Sequence, residues 1–115
     1  MFDQPKFKII YSDEVVNFLN SLNDKSRKKI LFNINRSKYS IDNNLFKKLV
    51  NSDIWEFRTK YDGLTFRIFA FWDRENETLV VTTHGIIKKT QKTPLKEIQK
   101  AENMRNAYFK AKNKR

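Results

Sequence analysis

The chain predicts an α+β domain: a small antiparallel meander sheet with an N-terminal helical hairpin and a C-terminal helix. Three observations carry that prediction. Asp62-Gly63 separates two alternating runs, and Asp-Gly is a strong two-residue hairpin signal. Two short stripes of apolar residues at helical spacing precede those runs, with only Asn23-Asp24 between them. Thr93-Pro94 then opens a last amphipathic stretch.

In chain order, Phe7, Ile9 and Tyr11 alternate with Lys8 and Ile10 as a short first strand. Ser12 caps a first helix, and Asp13 and Glu14 suit the dipole of its first turn. Val15, Phe18, Leu19 and Leu22 form its apolar stripe. Asp24 caps a second helix that buries Ile30, Leu31 and Ile34. The short connection makes the two an αα-hairpin. Lys25, Arg27, Lys28 and Lys29 sit where the dipole disfavours cations, as a solvated face or as a contact for RNA or a partner. Residues 40–53 are polar, with Leu45, Phe46 and Leu49 anchoring a short turn. Strands follow at about 54–61, 64–73 and 78–87. Thr93 is the expected cap of the last helix, with Pro94 at its first position and Glu97 in its first turn; Leu95, Ile98, Ala101, Met104 and Tyr108 dock it on the sheet or on a partner. The helices are expected to cover one face of the sheet.

The length of 115 residues suits one domain, 1–115. No apolar run is long enough to span a membrane, and Met1 to Lys8 lacks the apolar core of a secretory signal. Cysteine is absent, which excludes disulfides, thiolate chemistry and Cys-based zinc sites and fits a cytoplasmic location. One His and scattered carboxylates argue against a catalytic metal, so no cofactor is expected. With two glycines, a Gly-rich phosphate loop is excluded. The net charge of +11 points to a polyanionic partner, most often nucleic acid. Residues 88–115 carry most of that excess.

Hairpin geometry sorts the strand faces. A two-residue loop at Asp62-Gly63 sets Tyr61 opposite Leu64 and Arg58 opposite Arg67. Trp55, Phe57 and Tyr61 then share a face with Ala70, Ile68 and Leu64. Glu56, Arg58 and Lys60 share the other with Phe69, Arg67 and Thr65. An even-length turn near Glu75-Asn76 sets Trp72 opposite Leu79, Ala70 opposite Val81 and Arg67 opposite His84. The expected open face thus carries Glu56, Arg58, Lys60, Arg67, Phe69, Phe71, Val80, Thr82, His84, Ile86 and Lys88, with Lys89 at the strand end. Facing arginines destabilise a sheet by themselves, so a bound anion is expected there. Arginine supplies a planar fork for phosphate, and Phe69 and Phe71 either stack bases or lie under a neighbouring element. Cationic neighbours favour a neutral His84 imidazole, able to accept and return a proton near neutral pH. Glu56 is a candidate base, with an ion pair to Arg58 as the plainer reading.

The run Ile54-Trp55-Glu56-Phe57-Arg58, then Phe66-Arg67-Ile68-Phe69, then His84 through Lys88-Lys89-Thr90-Gln91-Lys92-Thr93-Pro94, resembles the HigB-like, phage-derived branch of the RelE/ParE toxin superfamily. The resemblance implies a compact, RelE-like fold of microbial-ribonuclease type. It implies a type II toxin that cleaves mRNA, usually on the translating ribosome and without metal. It implies a cognate antitoxin, a helix-turn-helix protein of HigA type. By position, Arg58 and Arg67 correspond to phosphate-binding arginines, and His84, Lys88 and Lys89 to a catalytic or RNA-contacting cluster. Lys60, Lys92 and Phe69 are expected RNA contacts. Ile86 stands where that branch commonly has an aromatic, and the C-terminal Tyr or paired His of other branches has no counterpart. Two other functions remain open: a non-cleaving inhibitor of a protein such as gyrase, as in the ParE branch, and an RNA-binding module without activity.

Overall fold

The protein is described by a computed structural model covering residues 4–76, 79–88 and 92–114. Its elements are β1 (Lys8–Ile10), α1 (Asp13–Asn20), α2 (Asp24–Ser37), β2 (Phe46–Lys48), β3 (Trp55–Tyr61), β4 (Leu64–Asp73), a single 3-10 turn (Arg74–Asn76), β5 (Leu79–Lys88) and α3 (Leu95–Lys112). The fold is α+β as the sequence predicts, with one five-stranded sheet in the order β1-β5-β4-β3-β2. β2 to β5 form the antiparallel meander, but β1 joins its edge parallel to β5. β2 replaces part of the turn expected over 40–53: Phe46 pairs with Phe57 and stacks on its ring at 4.1 Å.

The local signals behave as their chemistry dictates. Asp62 and Gly63 both take positive φ, which a two-residue hairpin loop of matching twist requires. Ser12 caps α1 by accepting from the Val15 N–H, and its hydroxyl donates to the Thr83 carbonyl, tying α1 to β5. α2 is capped by Asn23 rather than Asp24, which is its first helical residue. Thr93 does not cap α3. Pro94 occupies the cap position with no side-chain bond, because the Thr93 hydroxyl is engaged elsewhere.

Helices cover both faces of the sheet, not one. α1 and α2 bury Val15, Leu19, Ile30 and Ile34 against Phe7, Phe46, Phe57, Phe66, Ile68 and Val80. α3 lies on the opposite face, packing Ile98, Ala101, Tyr108 and Phe109 on Leu49, Ile54, Phe69, Phe71 and Val81. Phe69 and Phe71 are therefore buried core residues. The alternation that sends them to the second face is the one the sequence shows; α3 supplies enough apolar surface to cover them.

The first hairpin has the expected register, with Arg58 opposite Arg67 and Trp55 opposite Ala70. The second does not. Trp72 faces Val80 and Ala70 faces Thr82, so the loop between β4 and β5 is odd in length. A β-bulge between Ile68 and Ala70 adds one more residue of shift, and Arg67 then faces Ile86 rather than His84. The odd loop sends Val80 and Thr82 to the α1/α2 face. The bulge inverts the alternation again, so His84, Ile86 and Lys88 share the face of Arg58 and Arg67.

Candidate RNA-binding and acid–base site

Three rows cross the α3 face near the Asp62-Gly63 turn. The outermost is Lys60, Thr65 and Lys88, and the next is Arg58, Arg67 and Ile86. Glu56 and Phe69 follow, with Thr83 and His84 at the bulge. Lys60 is exposed, and Lys88 and Arg58 are half-buried. Lys92, beyond the end of β5, is exposed as well. Lys60, Lys88 and Arg58 form a basic end of this face. Lys89 lies outside the described residues.

The next layer inward is closed. Glu56, Arg67 and His84 are all at least 98% buried. Arg67 Nη1 donates to Glu56 Oε1 at 2.8 Å and to the Thr93 hydroxyl at 2.6 Å. That hydroxyl in turn donates to Glu56 Oε1 at 3.4 Å. Arg58 Nη2 approaches the other Glu56 oxygen at 3.8 Å. The facing arginines are thus held by one buried carboxylate. The expected Glu56–Arg58 ion pair exists, but Arg67 is the closer partner. A carboxylate engaged in this way is a poor free base and a good clamp for two guanidinium groups.

His84 packs its ring on Phe69 with centroids 4.8 Å apart. Nε2 lies 3.2 Å from Glu97 Oε1, and Nδ1 lies 3.1 Å from the Thr83 hydroxyl. A carboxylate only accepts, so Nε2 carries the proton; Nδ1 faces the Thr83 hydroxyl, whose one proton is shared between it and the Phe69 carbonyl at 3.3 Å. Burial lowers the His84 pKa from its ordinary value, and Lys100 adds to the effect; the bond to Glu97 works against both. The downward shift expected from the sequence is present, but its first cause is desolvation and not the neighbouring arginines.

Sequence reasoning missed Glu97 and Thr93 as members of this cluster. Both belong to the start of α3, and only the docking of that helix brings Glu97 to His84 across 13 residues of chain. Asp73, also missed, anchors the far end of α3. It accepts from the Tyr108 hydroxyl and from Lys112 Nζ, each at 2.7 Å, and from the Glu75 N–H at 3.1 Å. Burial pushes this carboxyl up, yet those three donors prevail and hold it at about 2. Among the described residues no group of three His, Asp or Glu side chains comes together to hold a metal ion, and no helix is long and apolar enough to cross a membrane.

A sequence profile of the family described as phage-derived protein Gp49-like (DUF891) matches residues 17–106. The chain belongs to that family. The matched span takes this Gp49-like protein from within α1 to within α3 and includes every residue of the cluster. No curated protein sequence matches it. Among solved structures, it is similar to a double arginine-to-alanine mutant of E. coli toxin RelE in the free state. That likeness has a TM-score of 0.61 at 13% identity and covers 89% of this chain and 98% of the other. It is also similar to the intact E. coli RelBE toxin–antitoxin complex, with a TM-score of 0.53 at 15% identity, over 75% of this chain and 99% of the matched one. These likenesses establish a RelE-type fold.

Proposed function

We propose that this Gp49-like protein is the toxin of a type II toxin–antitoxin system, an endoribonuclease of HigB type that cleaves mRNA on the ribosome without a metal. One observation supports this most: a basic sheet end, with Arg58 at its edge, borders a buried histidine held by a carboxylate. Arg58, Lys60, Lys88 and Lys92 take the RNA backbone. Arg67, fixed by Glu56 and Thr93, adds charge behind them. With the first turn of α3 displaced and Glu97 gone from it, His84 takes the tautomer protonated at Nδ1, and Nε2 accepts the proton of a ribose 2′-hydroxyl as its oxygen attacks the adjacent phosphorus. The bond to the leaving 5′-oxygen breaks, and that oxygen takes up a proton from solvent water. Two guanidinium groups stabilise the extra charge on the phosphorane. Lys89 belongs to the same proposed cluster by its place in the sequence. Phe69 does not stack a base in this reading, because it forms the floor under His84. Glu56 orients the arginines and is not the base. The partner is an antitoxin, a reading supported by the likeness to a toxin–antitoxin complex; its helix-turn-helix class rests on the sequence resemblance alone.

The test is production without antitoxin, followed by mapping of new RNA 5′ ends. Wild-type protein is expected to arrest growth and create ends within coding sequence. Arg58→Gln and His84→Gln, checked for folding by circular dichroism, are expected to lose about 10²–10³ in cleavage. Full toxicity of both variants overturns the proposed site. One observation favours a second reading, an RNA-binding module without activity: His84 has both ring nitrogens engaged beneath α3. That reading predicts salt-dependent RNA binding with no new ends. DNA damage without RNA ends would instead indicate a gyrase-type target.

A further inference from the structure

The outer side of α2 belongs to neither sheet face. Lys25, Lys28, Lys29, Phe32 and Arg36 recur along it at helical spacing, and Tyr39 continues the line just past its end. All six are exposed, Phe32 by 56% and Tyr39 by 44%. The ammonium of Lys29 lies 5.6 Å from the centre of the Phe32 ring. Among the described residues no carboxylate pairs with Lys25, Lys28, Lys29 or Arg36. Arg27, in the same stretch, behaves differently: it turns back to pair with Asp24 and to donate to the carbonyls of Leu19 and Leu22. It closes the turn between the helices and stands apart from the stripe. The remaining cations crowd a helix start, where the dipole opposes them, and nothing within the fold compensates three of them there.

We propose that this stripe is a second RNA-docking surface, which takes a single-stranded segment with its phosphates on Lys25, Lys28, Lys29 and Arg36 and an unpaired base on Phe32. Evenly placed cations with an exposed aromatic between them are the pattern that binds single strands without sequence preference. A protein partner fits less well. Lysine is depleted in protein interfaces, and this stripe has no aliphatic centre. The apolar groove of Tyr11, Val16, Leu19 and Leu31 lies between α1 and α2, to one side of the stripe, and is a better seat for a protein. Packing of Ile30 and Ile34 on the sheet, with the Asn33–Thr59 bond, holds α2 rigidly and turns the stripe outward. The whole sheet separates it from His84, so it serves docking and takes no part in proton transfer.

The experiment is fluorescence anisotropy of the full chain with a 2′-O-methyl single-stranded RNA oligonucleotide. That probe lacks the attacking hydroxyl, so the outcome is independent of whether the protein cleaves. The combined variant Lys25→Gln, Lys28→Gln, Lys29→Gln and Arg36→Gln changes only exposed positions and keeps helix propensity. It is expected to bind at least about tenfold more weakly, with a log–log salt slope shallower by about 2–3, at about 0.7 per lost phosphate contact. Phe32→Ala is expected to weaken binding about fivefold or more at an unchanged slope. An unaltered affinity and slope in the combined variant overturns the proposal. So does a variant that keeps its RNA affinity but fails to co-purify with an acidic antitoxin, which would make the stripe a protein contact.

Discussion

The two faces of the sheet are covered by different chemistry. Under α1 and α2 the cover holds no buried charged or histidine side chain among the described residues: Phe7, Phe46, Phe57, Trp55 and Trp72 form a chain of ring contacts, with Ile30 and Ile34 closing it. Under α3 the apolar contacts share their face with four buried ionisable groups, Glu56, Arg67, Asp73 and His84. α3 is fastened at both ends by polar bonds: Thr93 and Glu97 to Arg67 and His84 at one end, Tyr108 and Lys112 to Asp73 at the other. Apolar burial responds weakly to pH and salt, whereas charge-assisted bonds respond to both. The first face is built to persist. The second is built so that its cover depends on protonation, which suits a face whose buried groups must be reached for the proposed chemistry.

The largest effects should test whether each face is held as described. Phe46→Ala removes the centre of the aromatic chain and is expected to cost about 3–5 kcal/mol in denaturant unfolding. Arg67→Ala leaves Glu56 buried beside a single, more distant guanidinium and is expected to cost a similar amount, about 3–5 kcal/mol. A loss below about 1 kcal/mol for Arg67→Ala would show that the charged cluster carries little of the second face.

Acid should separate the faces next. The Asp73 carboxyl is held at about 2 against an ordinary value of 3.8, so its contribution is complete above about pH 4 and lost as pH falls towards 2. The shift corresponds to stability on the order of 2 kcal/mol. Asp73→Asn should remove that part of the acid transition, and hydrogen exchange should quicken in the C-terminal half of α3 while α2 stays protected. His84 acts in the same direction at higher pH. Its lowered pKa means the unfolded chain takes up the proton first as pH falls below about 6.5. Stability is therefore full above that value and declines below it, and His84→Gln should flatten this segment of the profile. The smallest effect is expected at Arg58, at the edge of the site. The Arg58 side chain is 16% exposed and lies 3.8 Å from the buried Glu56, so Arg58→Gln should cost less stability than Arg67→Ala while lowering RNA affinity, and a loss equal to that of Arg67→Ala would make Arg58 as structural as Arg67.

Much of the fold was legible. Asp62-Gly63 set the first hairpin because both residues tolerate positive φ, and the facing of Arg58 and Arg67 follows from that loop alone. Ser12 announced α1, and apolar spacing identified Val15, Leu19, Ile30 and Ile34 as buried by the helical hairpin, while Leu31, expected with them, is 38% exposed. β2 was hidden because a three-residue strand set among Asn and Asp has too few positions to show alternation. The second hairpin was misread because neither an odd loop nor a bulge has a signal as sharp as Asp-Gly. Their two shifts happen to restore His84 to the expected face, one row from the expected place. Phe69 and Phe71 read as exposed only while α3 was unplaced.

What the sequence determined by itself is local: caps, the first turn, strand alternation and the motif shared with the phage-derived family. Those depend on residues a few positions apart, where covalent geometry leaves few choices. What only the tertiary structure decided is the environment of the site. Glu97 meets His84, Thr93 meets Arg67 and Glu56, and burial lowers the imidazole's pKa, all because α3 folds back over the sheet. Desolvation and long-range pairing are properties of the packed whole, and no spacing along the chain encodes them.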